Sequence, residues 1–401
     1  MKKAVLAFSG GLDTTYCVLY LREQGYAVHT VTVQTGGFSA AELESIAAHA
    51  QRLGVVSHVT LDETERYWRK VLRYLLYGNV LKNATYPLSV SAERAVQAAA
   101  VASYARSLNA DALVHGSTGA GNDQVRFDMI FQTLLPDVPI LTPIRDQRLS
   151  RQQEIDYLVA RGVEMNFEKA AYSVNKGLWG TSVGGRETLT SNGRMPESAY
   201  PTQVSKQTPE ALSISFEKGE PVAVNGEMMN AVSAVQTIQA IAGPFGIGRD
   251  VHVGDTIIGI KGRVAFEAAA PVVLIKAHHA LEKHTLTKHQ LFWKAQLAEW
   301  YGTWLHEGQL LDPVMRDIEQ FLASTQRNVS GTVHVQLHPY RFTVEGVESA
   351  KDLMSDRFGQ YGEMNLGWTG DDVRGFAKVF GNQTRMHGVI TGEVARYWEA
   401  E

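Results

Sequence analysis

Ser9-Gly10-Gly11-Leu12-Asp13-Thr14-Thr15 stands between a mostly apolar run, residues 3 to 8, and a helical stretch, residues 12 to 24, that Gly25 is placed to end. A buried strand, a tight turn and a helix follow from that order. The two glycines remove side chains where backbone N–H groups must approach an anion, and the helix start adds unpaired donors and partial positive charge. The hydroxyls of Ser9, Thr14 and Thr15 suit further phosphate oxygens, while Asp13 either holds a magnesium ion or caps the helix. A plain capped turn is the bland reading of the same residues. A second string, His115-Gly116-Ser117-Thr118-Gly119-Ala120-Gly121-Asn122-Asp123-Gln124-Val125-Arg126-Phe127, also joins a predicted strand to a predicted helix. In a doubly wound sheet it falls on the same carboxyl edge as the first turn. Asn122 offers a donor and an acceptor, Asp123 suits an amine, and Arg126 can grip a carboxylate through two bonds. An amino-acid substrate requires such groups; the bland reading is a glycine turn with Arg126 on a solvated face.

The elements that must position these strings are those of a parallel sheet with crossover helices. Strand signals at residues 27 to 35, 57 to 61, 111 to 115 and 138 to 144 alternate with helical ones at 40 to 53, 63 to 77, 92 to 108 and 152 to 160. From 164 to 210 the chain turns polar and glycine-rich, which marks a domain boundary near 165. Beyond it, a hairpin is expected over 212 to 224 and a strand over 256 to 266. Helices are expected over 272 to 283, 288 to 304 and 313 to 324, strand-like sequence over 329 to 347, and a closing helix over 371 to 380. The fold class is α/β: a doubly wound parallel-sheet nucleotide domain (1–165), a mixed α+β domain (166–365), and a C-terminal helix and tail (366–401).

Composition narrows the function classes. The chain has 401 residues, 44% of them hydrophobic, and a net charge of −4 with no long basic run, which favours small-molecule substrates over nucleic acid. Its single cysteine, Cys17, forbids an internal disulfide or a two-cysteine zinc or redox motif. The first apolar run is too short for a signal peptide and no run approaches a bilayer span, so no membrane partner and a cytoplasmic location are expected. Neither a G-x-x-x-x-G-K-[ST] nor a G-x-G-x-x-G motif occurs. His278, His279, His284 and His289 do not read as metal ligands, because the adjacent first pair shares no helical face and no carboxylate at ligand spacing completes a set. Trp293, Trp300 and Trp304 recur at helical spacing, as packing or subunit-contact residues do.

The run SGGLDTT resembles the signature of the ATP pyrophosphatases, which cleave ATP between the α and β phosphates and adenylylate a substrate oxygen. The sulfur-inserting members commonly use catalytic cysteines, and one cysteine on the first helix disfavours them. The second string closely resembles the HGxTGKGNDQVRF motif of argininosuccinate synthases. Tyr86-Pro87-Leu88-Ser89-Val90-Ser91, Tyr172-Ser173, Leu178-Trp179-Gly180-Thr181-Ser182, Gly248-Arg249 and Gly259-Ile260-Lys261-Gly262-Arg263 are similar to further family segments in the same order.

That resemblance implies ATP contacts from Ala7, Phe8, Ser9, Gly10, Gly11, Leu12, Asp13, Thr14, Thr15, Val33 and Gly116. It implies citrulline contacts from Tyr86, Ser91, Asn122, Arg126, Ser173 and Ser182, and aspartate contacts from Thr118, Asn122 and Asp123. Asp13, Asn122 and Arg126 are the expected catalytic residues, Asp13 the expected magnesium ligand, and ATP and Mg2+ the expected cofactors. The reaction implied is the AMP-forming ligation of citrulline and aspartate in arginine biosynthesis, in a homotetramer joined through C-terminal helices. The chain departs from the family pattern at Ala120, where a lysine is usual, and at Asn175, Lys176 and Gly177. Gly254 stands where a citrulline-binding glutamate is usual and Phe266 where a tyrosine is usual. Three expectations stay open for the altered pocket: a nearby carboxylate, Asp255 or Asp250, replaces the glutamate; the substrate is an N-acylated citrulline; or the chain is a nucleotide-binding regulatory relative.

Overall fold

The computed structural model describes residues 1–167, 172–364 and 367–399. The chain divides into two compact units, Met1–Lys351 and Asp352–Glu401. The expected boundary at 365/366 lies outside the described residues.

The first unit begins with a five-stranded parallel sheet of β1 (Lys3–Ala7), β2 (Ala27–Gln34), β3 (Ser57–Asp62), β4 (Ala112–Val114) and β5 (Ile140–Leu141), in the order β3-β2-β1-β4-β5. β1 pairs with β2 on one side and β4 on the other, Leu6 lying opposite both Thr30 and Val114. The chain reverses its winding at that point, which leaves a crevice at the carboxyl ends of β1 and β4. Apolar residues buried on both faces explain the sheet's parallel character: Val5, Val31 and Val33 enter one core, while Ala4, Leu6, Val28 and Val114 enter another. The helix Ser89–Ser107 lies close to the sheet because buried alanines at 92, 95, 98, 102 and 105 keep its inner face thin.

Two antiparallel sheets follow. β8 (Glu210–Glu217), β9 (Glu220–Val224), β10 (Glu227–Met228), β13 (Gly331–His338) and β14 (Arg341–Glu348) form one, ordered β10-β9-β8-β13-β14. The other contains β6 (Tyr172–Gly177), β7 (Gly180–Gly185), β11 (Arg249–Asp255) and β12 (Lys261–Glu267), ordered β11-β12-β7-β6. The larger apolar core runs without a break from Val5 and Val31 to Leu212 and Val333, so both halves of this unit share it.

Some sequence expectations need correction. The helix over 63 to 77 is interrupted by a π turn, Trp68–Leu72, whose side chains Trp68, Val71 and Leu72 are buried. The strand expected over 256 to 266 begins only at Lys261, as β12; residues 256 to 260 are the turn that joins it to β11, in which Gly259 N–H donates to Thr256 O. The helix Gly370–Phe380 does not close the chain, since Asn382–Thr391 and Glu393–Glu399 follow. Glu282 does stand four residues beyond His278, with its Oε1 3.8 Å from Nε2, but its other oxygen takes the Lys294 ammonium at 2.9 Å. Both ring nitrogens of His278 face amides, Asn79 and Gln326, and no group of three metal-binding side chains exists among the described residues.

Candidate active site

The first turn is built to leave donors free. Gly10 takes φ 75°, a left-handed conformation, and a Cβ there would crowd Ile46 at 3.2 Å. Gly11 precedes the helix Leu12–Glu23 in an extended conformation, and as the N-cap residue it offers no side-chain acceptor to the first helical N–H groups. Asp13, in the first turn, accepts from its own backbone N–H, so the capping alternative stays beside the magnesium one. Ser9 Oγ and Thr14 Oγ1 lie 3.4 Å apart at the mouth of the turn. Thr15 behaves differently from the expectation: it is fully buried and its hydroxyl pairs with His49 Nε2 at 2.9 Å, behind the turn.

Asp13 faces Glu154, which arrives on the helix Arg151–Val159. Burial pushes the Asp13 carboxyl up, and burial together with the nearby Asp13 charge pushes Glu154 up to about 8. Glu154 Oε2 is buried with no hydrogen-bond partner. Asp13 is the carboxyl beside this turn that could hold a magnesium ion, which one or two protein carboxylates and substrate phosphates usually share; Glu154 stands behind it.

The second string closes against the first. A Cβ on Gly116 would come within 3.3 Å of the Asp13 backbone, so the absence of a side chain there lets the two loops meet. Ser117 N–H donates to His115 Nδ1 at 3.2 Å, which leaves Nε2–H to donate to Asp128 at 2.9 Å; Arg145 holds the other Asp128 oxygen at 2.7 Å. Gln124 Nε2 donates to the carbonyls of Gly119 and Gly121, fixing the glycine loop. Asn122 Oδ1 accepts the Ile257 N–H at 2.9 Å, which ties the β11–β12 turn to this loop.

Asp123 lies between two guanidiniums, with Arg94 Nε on one oxygen and Arg126 Nη1 on the other, both at 2.9 Å. Burial alone would raise its pKa, but the two arginines outweigh it and hold the carboxylate below its usual range. Arg126 is 4% exposed and also donates from Nε to His306 O. Burial and the Arg126 charge push the His306 imidazole down to about 3, so it adds no positive charge near neutral pH.

These loops line a cleft of about 1000 Å³. Ala7, Phe8, Ser9, Gly11, Leu12, Asp13, Thr14, Val33 and Gly116 border it, as do Thr118, Asn122, Asp123, Arg126 and Ser173. Gly10 and Thr15 stand behind that lining. Tyr86, Ser91, Ser182 and Phe266 are 5%, 2%, 6% and 1% exposed and form the packed wall beyond Arg126 rather than the open cleft. Tyr86 stacks on His252 at 5.2 Å and packs on Phe266 at 5.3 Å, and Phe266 pairs across strands with Ser182. Gly254 lies on β11 opposite Gly262, and a Cβ there would come within 2.4 Å of His252 Nε2. Asp255 is exposed and bound to Lys261 at 2.6 Å, and Asp250 is exposed, so neither stands in the wall as a replacement carboxylate.

Arg94, Glu154 and His252 were not singled out from sequence. Arg94 and Glu154 each fall inside a stretch read only as helical, 92 to 108 and 152 to 160. Nothing in the spacing of either announces a partner some 30 to 140 residues away.

Comparison with known proteins agrees over almost the whole chain. Residues 3–164 match the family model described as Arginosuccinate synthase N-terminal HUP domain, and residues 172–387 the one described as Arginosuccinate synthase C-terminal domain. Argininosuccinate synthase of Xylella fastidiosa is 36% identical over 398 residues, covering 96% of this chain and 97% of that protein. Argininosuccinate synthase of Methanocaldococcus jannaschii is 34% identical over 388 residues, with 96% and 97% covered, and that of Dictyoglomus turgidum is 32% identical over 396, with 98% and 99% covered.

Proposed function

The chain belongs to the argininosuccinate synthase family, and from that premise we propose how its cleft joins L-citrulline to L-aspartate while ATP becomes AMP and pyrophosphate. The observation that carries the reading is the meeting of two loops on one cleft: an uncapped, glycine-rich helix start and the Asn122–Asp123–Arg126 cluster. The former suits a polyphosphate and the latter an amino acid. A regulatory role with a decayed pocket is disfavoured by the same cluster, in which Asp123 bridges Arg94 and Arg126 and Asn122 accepts from Ile257.

The ureido oxygen of citrulline attacks the α-phosphorus, forming a P–O bond as the bond to pyrophosphate breaks. The aspartate amine then attacks the activated ureido carbon, and AMP leaves with the oxygen. Backbone N–H groups of Ser9 to Leu12, with the Ser9 and Thr14 hydroxyls, hold the β and γ phosphates and stabilise the charge that develops on pyrophosphate. Asp13, with Glu154 behind it, would hold a magnesium ion, which supplies further charge neutralisation at the phosphates. Asn122 and Arg126 orient citrulline; Thr118 and Asp123 orient aspartate. For Asp123 this means exchanging one guanidinium partner for the substrate's ammonium. The lone thiol, Cys17, is buried and pushed up by burial, so positioning and electrostatics carry the reaction without a covalent enzyme intermediate.

A cytoplasmic homotetramer acting in arginine biosynthesis completes the reading. The assembly is supported by apolar side chains left exposed on helices, among them Trp293 and Trp300 in the first unit and Phe376, Phe380 and Ile390 in the second. The test is an assay of AMP release: AMP and pyrophosphate form in equal amounts only with citrulline and aspartate both present. ADP formation, or AMP formation indifferent to either amino acid, contradicts it.

A further inference from the structure

His252 is 6% exposed, and its Nδ1 is buried with no hydrogen-bond partner among the described residues. An unpaired buried imidazole nitrogen costs stability and calls for a partner. The ring's position indicates what that partner is. His252 lies on β11 directly opposite Val264 of β12, and cross-strand partners present their side chains to one face; Val264 lines the cleft. The His252 ring also stacks on Tyr86, and the turn that follows its strand is tied to Asn122. Gly254, two residues on and on the same face, supplies the room, because a Cβ there would collide with Nε2.

An α-amino acid held by Arg126 through its carboxylate must place its ammonium nearby, and that cation requires acceptors. The carboxylates near this wall are engaged elsewhere: Asp123 holds Arg94 and Arg126 and is assigned above to the ammonium of aspartate, and Asp255 turns outward to Lys261. We infer that His252 is the specificity-determining residue for the α-ammonium group of citrulline, accepting its hydrogen bond at the ring nitrogen left unpartnered beside Tyr86. The inference rests on the citrulline reading given above. Burial, with the Lys82 charge, holds the ring below the usual histidine range despite the opposing Asp250 charge, and the neighbouring His306 is neutral, so a lone pair is present.

The test uses the intact enzyme with ATP, aspartate and magnesium. Wild type is compared with His252→Phe, His252→Gln and Gly254→Ala. Gly254 is absent from the left-handed positions, so its backbone accepts alanine and that variant displaces the ring without removing it. Removing a hydrogen bond to a charged group is worth about 1.5–3 kcal/mol, so His252→Phe raises the KM for citrulline about 10- to 100-fold, with kcat and the other two KM values changed less than about twofold. Gly254→Ala follows it, and His252→Gln recovers much of the loss. The inhibition constant of 5-ureidopentanoate, which lacks the amine, stays the same in wild type and His252→Phe, so the advantage of citrulline over it collapses in the variant. An unchanged advantage, or a wild type that prefers N-acetylcitrulline to citrulline, overturns the assignment. A wild type with no citrulline-dependent AMP release instead overturns the citrulline reading itself, and this inference falls with it.

Discussion

Asp13 and Glu154 share a buried proton site at the edge of the phosphate turn, and the pH dependence of the protein follows from it. Glu154 is raised from 4.5 to about 8, so between those values the folded chain keeps a proton that the unfolded chain has lost. Stability therefore falls as pH rises through that window. Glu154→Gln replaces the protonated acid with a neutral amide: melting curves from pH 5 to 9 should be flatter than wild type and the midpoint higher at pH 8. An unchanged pH slope would place the proton elsewhere. Asp13→Ala should reduce AMP formation by at least about 100-fold, as loss of a group stabilising transition-state charge does, with the melting temperature not lowered. Near-normal turnover would leave Asp13 without a role at the phosphates. The place of Asp13 in the turn was legible because its motif is contiguous, whereas Glu154 reaches it from a helix more than a hundred residues on and has no local signature.

The central strands of the parallel sheet, β1, β2 and β4, were legible to within a few residues because their burial is two-sided and their apolar runs are nearly continuous. β11 was missed for the opposite reason: Arg249-Asp250-Val251-His252-Val253-Gly254-Asp255 is an edge strand with charged ends and one buried face, and its glycine weakens the pattern. The wall containing His252 stayed hidden with it. The β6–β7 hairpin shows a similar dependence on distant contacts. A Cβ on Gly37, just past β2, would stand 2.1 Å from the Lys176 carbonyl, so the hairpin docks only because residue 37 has no side chain. Gly37→Ala should cost about 1–3 kcal/mol of stability, as overpacking does, and raise the KM for ATP more than that for citrulline, since Val33 and Phe38 lie on the same side of the cleft. Equal melting temperatures for the variant and wild type would mean that the hairpin yields freely.

At the scale of the whole chain, one apolar core spans the parallel sheet and the antiparallel sheet of β8, β9 and β13, while residues 352 to 401 form a unit with its large apolar side chains exposed. No periodicity could reveal the first fact, because a shared core is a property of packing between segments hundreds of residues apart. Ending the chain after Lys351 should leave the melting temperature of the remainder within a few degrees but lower the molar mass of the assembly in light scattering. A truncated chain with the full-length assembly state would remove the second unit from the interface. The central claim concerns the bond that is made to ATP. Citrulline carrying heavy oxygen in its ureido group, turned over with ATP and aspartate, should deliver one labelled atom to each AMP and none to pyrophosphate. Label in pyrophosphate, or unlabelled AMP formed in step with argininosuccinate, would contradict adenylylation of the ureido oxygen.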